Sequence, residues 1–411
     1  SIFTTCYKSY EYINVAYKSI LNQSFNDWEW VIMDDTPEDK HFDFLRKELS
    51  DDPRVRLYKR QENSGNIGNV KNEAIALCRG KYVLEMDHDD EILKDCLTDA
   101  YNIFEKDDEI GFVYADFINM YRDGKQFEYN GMLCKGYGSY YFQKNGNKWS
   151  SVYITPNINN ITLSHLICMP NHPRMWRRKA LMECENYSER LPICDDYEIL
   201  LRTLTNYKVV KNNKIQYIQY MNDGGNNFSN IRNKEINRLG PNYIYPIFYN
   251  EYDVNDNMKQ QDAYEDENYI KNHSFIWKRN SEYKHKKINQ IINNDYDKQY
   301  CILNDVFDDP IIMERVRELY KNIRNDFIVL SNKLSNEEIQ NKLDTYGFDR
   351  MKCYSLLNCS EEEMIKYFNM IYLNDNCEHE IIYDLDNKII DLSQLNITDL
   401  NKTFVKAQPF N

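Results

Sequence analysis

The run GKYVLEMDHDD at residues 80–90 passes from a glycine, through an apolar strand, to a knot of acidic residues. Gly80 stops a helix, residues 82–86 read as a strand, and Asp87, His88, Asp89 and Asp90 crowd its carboxyl end. Upstream, Val70, Ala74, Leu77 and Cys78 share one face of a helix that follows a Gly-containing loop, Asn63 to Gly68. Further upstream stand three strands. They are residues 1–6 (SIFTTC), Trp28 to Met33, which ends in Asp34-Asp35-Thr36-Pro37, and Arg54 to Tyr58. Ser9 is expected to cap the first helix, whose apolar positions Ile13, Ala16, Tyr17, Ile20 and Leu21 fall on one side. Downstream, Ile92 to Phe104 reads as a helix and Ile110 to Phe117 as a strand. Strands alternating with helices predict a mostly parallel α/β sheet covered on both faces.

The pattern changes after residue 121. Tyr, Gly and Asn mix without a steady period through residue 164, which reads as irregular loops or a small antiparallel insert. Regularity returns with a strand at Leu166–Met169, a helix at Asp195–Asn206 and two strands at Lys208–Lys211 and Ile215–Tyr220. From residue 299 a second alternation begins: strands at Tyr300–Leu303, Phe327–Ser331, Met351–Leu356 and Glu380–Asp384, with helices at 311–324, 336–344 and 361–373 between them. The expected division is residues 1–240, a wrapping connector at 241–295, and a smaller Rossmann-like α/β domain at 296–411, consistent with two or three domains for 411 residues.

Composition narrows the function. With 42% apolar residues the chain can bury real cores. A net charge of −14 argues against nucleic acid as a partner, because phosphate binding needs a basic footprint. The 11 cysteines include no Cys-x-x-Cys pair, so neither a zinc knuckle nor a dense disulfide framework is suggested, and a reducing, cytoplasmic setting is expected. No run approaches the roughly 20 apolar residues of a membrane span, and no signal peptide is visible. Ser1 falls inside a strand, so a few preceding residues are expected to have been trimmed.

Ligands bind open α/β sheets at the carboxyl ends of strands. Asp34-Asp35, Asp87-His88-Asp89-Asp90 and Asp195-Asp196 all stand at a strand exit or a helix entry. Each alone has an ordinary explanation as turn or N-cap aspartate; three in one domain point to a site.

Residues 1 to about 238 resemble glycosyltransferase family 2, with the GT-A fold: a Rossmann-like mixed sheet with helices on both faces. The resemblance is carried by SIFTTCYKS (1–9), SILNQSFNDWEWVIMDDTPED (19–39), NSGNIGNVKNEAI (63–75), GKYVLEMDHDD (80–90), MWRRKAL (175–181) and DDYEILLR (195–202), in the family's order. It implies inverting transfer of a hexose or N-acetylhexosamine from a UDP-sugar to a hydroxyl of a glycan or protein. The DxD implies Asp89 as a metal ligand and Asp87 at the ribose and metal, with Mn²⁺ or Mg²⁺ as the cofactor that neutralises the leaving diphosphate. Thr5, Tyr7, Asp35, Lys71, Asn72 and His88 are implied on the nucleotide side, Asp35 accepting the imide N–H of uracil. His88 turns to the opposite face if the segment is extended. Asp196 is implied as the general base, with Asp195 in support. Asp90, His172, Arg174 and Arg232 are implied on the sugar and acceptor side, Arg232 as a candidate for the leaving phosphate.

The stretch after Tyr220 resembles the family's mobile loop but carries Asn222, Asn226 and Asn227 early in it, which leaves the third protein metal ligand open. The residue bias and the divergent C-terminal part resemble members from giant DNA viruses, for which the setting is a host cytoplasm. The C-terminal part shows no phosphate-binding glycine motif; its Asp305, Asp308 and Asp309 read as helix-entry residues, and a structural or homodimerising role is expected. Two other readings stay open, a nucleotidyltransferase and an inactive glycan-binding scaffold. The first needs a glycine-rich loop where this chain has Thr5-Cys6-Tyr7-Lys8-Ser9, and the second has no reason to retain Asp35, Asp87, Asp89 and Asp196 together.

Overall fold

The computed structural model describes all residues except 50, 129–138, 156–157, 166–170, 222–230, 241–244, 262, 265–291, 294–297, 304–305, 360–377, 383–388 and 392–411. Leu166–Met169, Asn222, Asn226, Asn227, Asp305 and the helix expected at 361–373 therefore lie outside the described residues. The chain forms two compact units: Ser1–Phe127 with Thr155–Tyr264, and Glu128–Ile154 with the residues from Asn293 onward.

The first unit alternates as the apolar runs predict: β1 (Ile2–Cys6), α1 (Ile13–Leu21), β2 (Trp30–Asp34), α2 (Asp39–Leu49), β3 (Val55–Lys59), α3 (Ile67–Leu77), β4 (Tyr82–Glu85), the short β5 (Glu91–Ile92), α4 (Cys96–Lys106) and β6 (Ile110–Tyr121). The chain then makes an antiparallel hairpin, β7 (Ser139–Asn145) and β8 (Lys148–Ile154), which belongs to the second unit. It returns through α5 (Asn160–His165), β9 (Arg174–Arg177), α6 (Arg178–Glu183), α7 (Asp195–Asn206) and β10 (Lys208–Met221), followed by α8 (Asn233–Leu239), α9 (Tyr245–Glu251) and α10 (Val254–Gln260).

The strand order is β3-β2-β1-β4-β9-β6, with β10 beside β6. The first four strands are parallel. β9 enters antiparallel between β4 and β6, and β10 runs parallel to β6. This is the mixed α/β sheet expected. All five residues of β2 are buried, as a strand covered on both faces should be.

Three local expectations change. Ser9 makes no side-chain cap; a 3₁₀ turn intervenes, α1 begins at Ile13, and Leu21 stays 46% exposed. The two strands expected after α7 are one, because bulges around Asn212–Tyr217 absorb the irregular residues without breaking the ladder. Gly80 is required by space: a Cβ there would stand 2.5 Å from the Ser1 backbone nitrogen.

After β11 (Ile292–Asn293), the second unit holds β12 (Lys298–Leu303), α11 (Pro310–Tyr320), β13 (Asn325–Ser331), α12 (Asn336–Tyr346), β14 (Lys352–Ser355), β15 (Glu378–Ile382) and β16 (Ile389–Asp391). The order β14-β13-β12-β15 is parallel throughout, with β16 antiparallel at the edge. Tyr300, Ile302, Phe327, Val329, Ile339 and Leu343 are among its core residues. Ser335 and Glu338 close a capping box at the start of α12. The irregular stretch after residue 121 supplies the hairpin, whose β7 pairs with β14 through Phe142 and Cys353. Among the described residues, no helix is long and apolar enough to cross a membrane.

Candidate active site

β4 ends at Glu85, and the acidic residues beyond it form a turn rather than an extended strand. β10 pins that turn: the Asp87 N–H donates to the Tyr217 hydroxyl at 3.2 Å, and the Tyr220 N–H donates to Asp90 Oδ1 at 2.8 Å. Asp90 and Asp89 are buried while the Asp87 side chain is half-exposed. Burial, followed by repulsion from Asp89 and Asp87, raises the Asp90 pKa well above the usual carboxylate range. Burial also raises Asp89. Carboxylates that repel one another in a dry turn favour a cation among them.

His172 faces this turn. Its buried ring stacks on Tyr217 with centroids 5.1 Å apart, and Nδ1 stands 3.7 Å from Asp87 Oδ2. Among the described residues, neither ring nitrogen has a hydrogen-bond partner. Burial lowers its pKa, so the ring is neutral at pH 7, the form that binds metals. One ligand atom each from Asp87, Asp90 and His172 lies within 4.8 Å of the others. These oxygen and nitrogen donors fit a divalent cation. The grouping differs from the expected Asp87 with Asp89. In a turn, residues three apart come to one side, which groups Asp90 with Asp87, where the resemblance implies Asp89. For the same reason the alternation applied to His88 does not hold here.

Beneath the turn lies a buried ion network. Register places Arg174 of β9 directly opposite Glu85 of β4. Arg174 Nη1 is 3.0 Å from Glu85 Oε2, and its Nη2 is 2.8 Å from Asp196 Oδ2. Lys71 Nζ, on α3, is 2.8 Å from Glu85 Oε1 and 2.7 Å from Asp195 Oδ2. The Tyr187 hydroxyl donates to Glu85 Oε2 at 2.8 Å. Burial works against the charge of Glu85, but Arg174 and Lys71 outweigh it and hold the carboxyl far below its usual range. Burial works against Lys71 too, and Asp195 and Glu85 reverse it, so its pKa is raised. Burial raises Asp195, against the pull of Lys71.

Lys71 was expected beside the nucleotide and instead sits under the site between two acids. Lys71→Met leaves both acids buried with one partner fewer. It is expected to cost about 3–5 kcal/mol, the usual price of breaking a buried pair from one side. Urea unfolding measures this, and an unchanged midpoint would mean that the network is not held together by Lys71.

Asp35 closes the loop after β2. Its Oδ1 accepts the Ser64 N–H at 2.9 Å and lies 3.0 Å from Arg60 Nε; Oδ2 accepts from the Asn63 amide at 2.8 Å. Burial raises its pKa. Asp34 serves a different purpose: its Oδ1 is 2.9 Å from His41 Nδ1, and His41 Nε2 accepts the Ser9 N–H at 2.9 Å. That relay shapes the turn after β1, where Lys8 and Tyr10 take positive φ angles of 52° and 38°. Thr5 is half-buried at the end of β1, and Tyr7 beyond it is 38% exposed.

Two expected contacts are placed elsewhere. The Asn72 amide clamps the Tyr187 backbone through both its donor and its acceptor. Arg232 is held by Glu235 and the Pro192 carbonyl. Gly68 is needed for the same packing, since a Cβ there would meet the Ser188 carbonyl at 2.4 Å. Glu85, Tyr187 and Tyr217 were not singled out in the sequence. Glu85 carried a signal, a charge inside an apolar strand two residues before Asp87; the tyrosines, among 34, carried none.

The family model described as Glycosyl transferase family 2 matches residues 1–184. The chain is 27% identical over 250 residues to chondroitin synthase of Escherichia coli, covering 58% of this chain and 33% of that protein. It is 23% identical over 274 residues to hyaluronan synthase of Pasteurella multocida, covering 64% and 25%. The chain thus spans about a third or less of these relatives. Among solved structures, S. aureus TarS 1–349 in complex with UDP is 19% identical, covering 54% of this chain and 60% of that one, with a TM-score of 0.39. Mannosyltransferase PcManGT from Pyrobaculum calidifontis, in complex with GDP-Man and Mn2+, is 14% identical, covering 62% and 69%, with a TM-score of 0.42.

Proposed function

We propose that this protein, whose residues 1–184 match the family model of glycosyl transferase family 2, transfers a hexose or N-acetylhexosamine from a UDP-sugar to an acceptor hydroxyl with inversion. One observation carries the reading: the cation-compatible trio and the proposed base are joined by an unbroken run of contacts. Asp87 and His172 lead to Glu85, Glu85 to Arg174, and Arg174 to Asp196.

Asp87, Asp90 and His172 would hold Mn²⁺ or Mg²⁺, which would supply positive charge for the leaving diphosphate. Asp196 takes the acceptor proton as the hydroxyl attacks the anomeric carbon. Its side chain is 24% exposed, against 7% for Asp195, so it is the acid an acceptor reaches. The Tyr197 N–H donates to Asp196 Oδ1 and fixes its rotation from the helix start. Arg174 is the neighbour that orients it. No covalent intermediate is needed, and none of these acids has to act as a nucleophile. The proposed acceptor is a glycan or a protein hydroxyl.

The test is a panel of UDP-, GDP- and ADP-sugars with Mn²⁺, scored by nucleotide release and product. Absence of release from every donor would overturn the reading. Asp35 is the proposed reader of uracil; among the described residues its Oδ2 takes one hydrogen bond, from the Asn63 amide. A hydrogen bond to a charged group contributes about 1.5–3 kcal/mol, so UDP should bind roughly 10- to 100-fold more tightly than GDP. Asp35→Ala should erase most of that ratio, measured by calorimetry. A wild-type preference for GDP would contradict the assignment.

A further inference from the structure

Glu85 is buried at the centre of the network and has no part in the chemistry above. Its carboxylate touches both cations: Lys71 on Oε1, Arg174 on Oε2. Arg174 in turn is divided, one terminal nitrogen on Glu85 and the other on Asp196. We propose that Glu85 is a positioning residue for the general base, acting through Arg174 to hold the Asp196 carboxylate at the mouth of the site. The inference rests on the reading of Asp196 as that base.

Charge and geometry support it. Three carboxyl groups, Glu85, Asp195 and Asp196, meet two cations, Lys71 and Arg174, so one carboxyl group is left without a cation of its own. The unbalanced charge belongs on the carboxylate with most access to solvent, and that is Asp196. Glu85 also fixes where Arg174 can be. It lies opposite Arg174 in the β4–β9 ladder, and the Tyr187 hydroxyl holds the same Glu85 oxygen. With Glu85 replaced by a neutral side chain, Arg174 loses a full charge on one side, and its terminal nitrogens turn toward Asp196. The carboxylate is then drawn inward, away from an incoming hydroxyl. Displacement of about 1 Å at a reacting group can cost about 10²-fold in rate.

Glu85→Gln keeps the shape and the oxygen that accepts from Tyr187. UDP release from UDP-glucose, UDP-galactose or UDP-N-acetylglucosamine, whichever the wild type turns over, is divided by the number of UDP-binding sites counted by calorimetry. A purely structural role would lower the number of sites and leave turnover per site unchanged. The expected result is turnover per site reduced by about 10²-fold with donor KM and UDP affinity retained. In an Asp196→Asn background the same change should cost nothing further, because the residue it acts on is already disabled. Losses that multiply, or wild-type turnover per site in Glu85→Gln, would overturn the inference alone. Wild-type turnover in Asp196→Asn would overturn the assignment of the base, and the inference with it. If Glu85→Gln does not fold, Glu85→Gln with Arg174→Met removes one charge of each sign; it should show the same loss per site, and full turnover would refute the role.

Discussion

Asp196→Asn is expected to lower sugar transfer by about 10² or more, the usual worth of a general base, while UDP and Mn²⁺ affinities stay near those of the parent protein. The amide keeps the shape of the carboxylate, and its one oxygen can still accept from the Tyr197 N–H, while an NH2 group replaces the oxygen that faces Arg174. What is lost is the ability to take a proton. Asp195→Asn should behave differently. Asp195 is buried against Lys71, 2.7 Å away, so its replacement should lower the unfolding midpoint first and transfer only as a consequence. A large loss in Asp195→Asn with little in Asp196→Asn would move the base one residue back. No loss in either, with donor binding intact, would remove the carboxylate base and with it the inverting mechanism proposed.

EDTA is expected to abolish donor turnover, and Mn²⁺ or Mg²⁺ to restore it. Full turnover in metal-free buffer would refute the cation requirement. Residue changes then locate the ion. His172→Ala should raise the Mn²⁺ concentration for half-maximal turnover by about 10- to 100-fold, the range typical of a lost partner at a metal site. Asp90→Asn should do as much, and Asp89→Asn less, because Asp90 shares one small volume with Asp87 and His172. The reverse ranking of Asp89 and Asp90 would return the ion to the DxD pair read from the sequence. Mn²⁺ binding measured directly in the presence of UDP separates loss of metal from loss of chemistry.

Much of the first unit was legible because its signals are local. Apolar runs bounded by turn residues marked β1, β2, β4 and β6, and helix spacing marked α1 and α3. The second alternation from residue 299 was legible in the same way, and β12, β13 and β14 fall where it put them. The middle of the chain was not. Its hairpin, β7 and β8, lies far in sequence from its partner β14, and nothing in a Tyr- and Asn-rich stretch names that partner. Ser9 shows the same limit on a smaller scale. The motif reads as a cap, but the hydroxyl stands 3.0 Å from His41 Nε2, a ring delivered by the next helix.

By itself the sequence determined the alternating α/β architecture and the concentration of acids at strand ends, since strand period, turn chemistry and helix entry depend on near neighbours along the chain. The tertiary structure alone decided which charges meet. β9 runs antiparallel between β4 and β6, and that insertion puts Arg174 across from Glu85 and draws His172 to the acidic turn. α3 packs with Lys71 inward, so a lysine that reads as a nucleotide contact becomes the buried partner of Asp195. The turn after β4, rather than an extended strand, groups Asp90 with Asp87 and His172. The physical reason is common to all three. A charged side chain removed from water must find an opposite charge within a few ångströms, and which one lies that close depends on strand order and helix rotation.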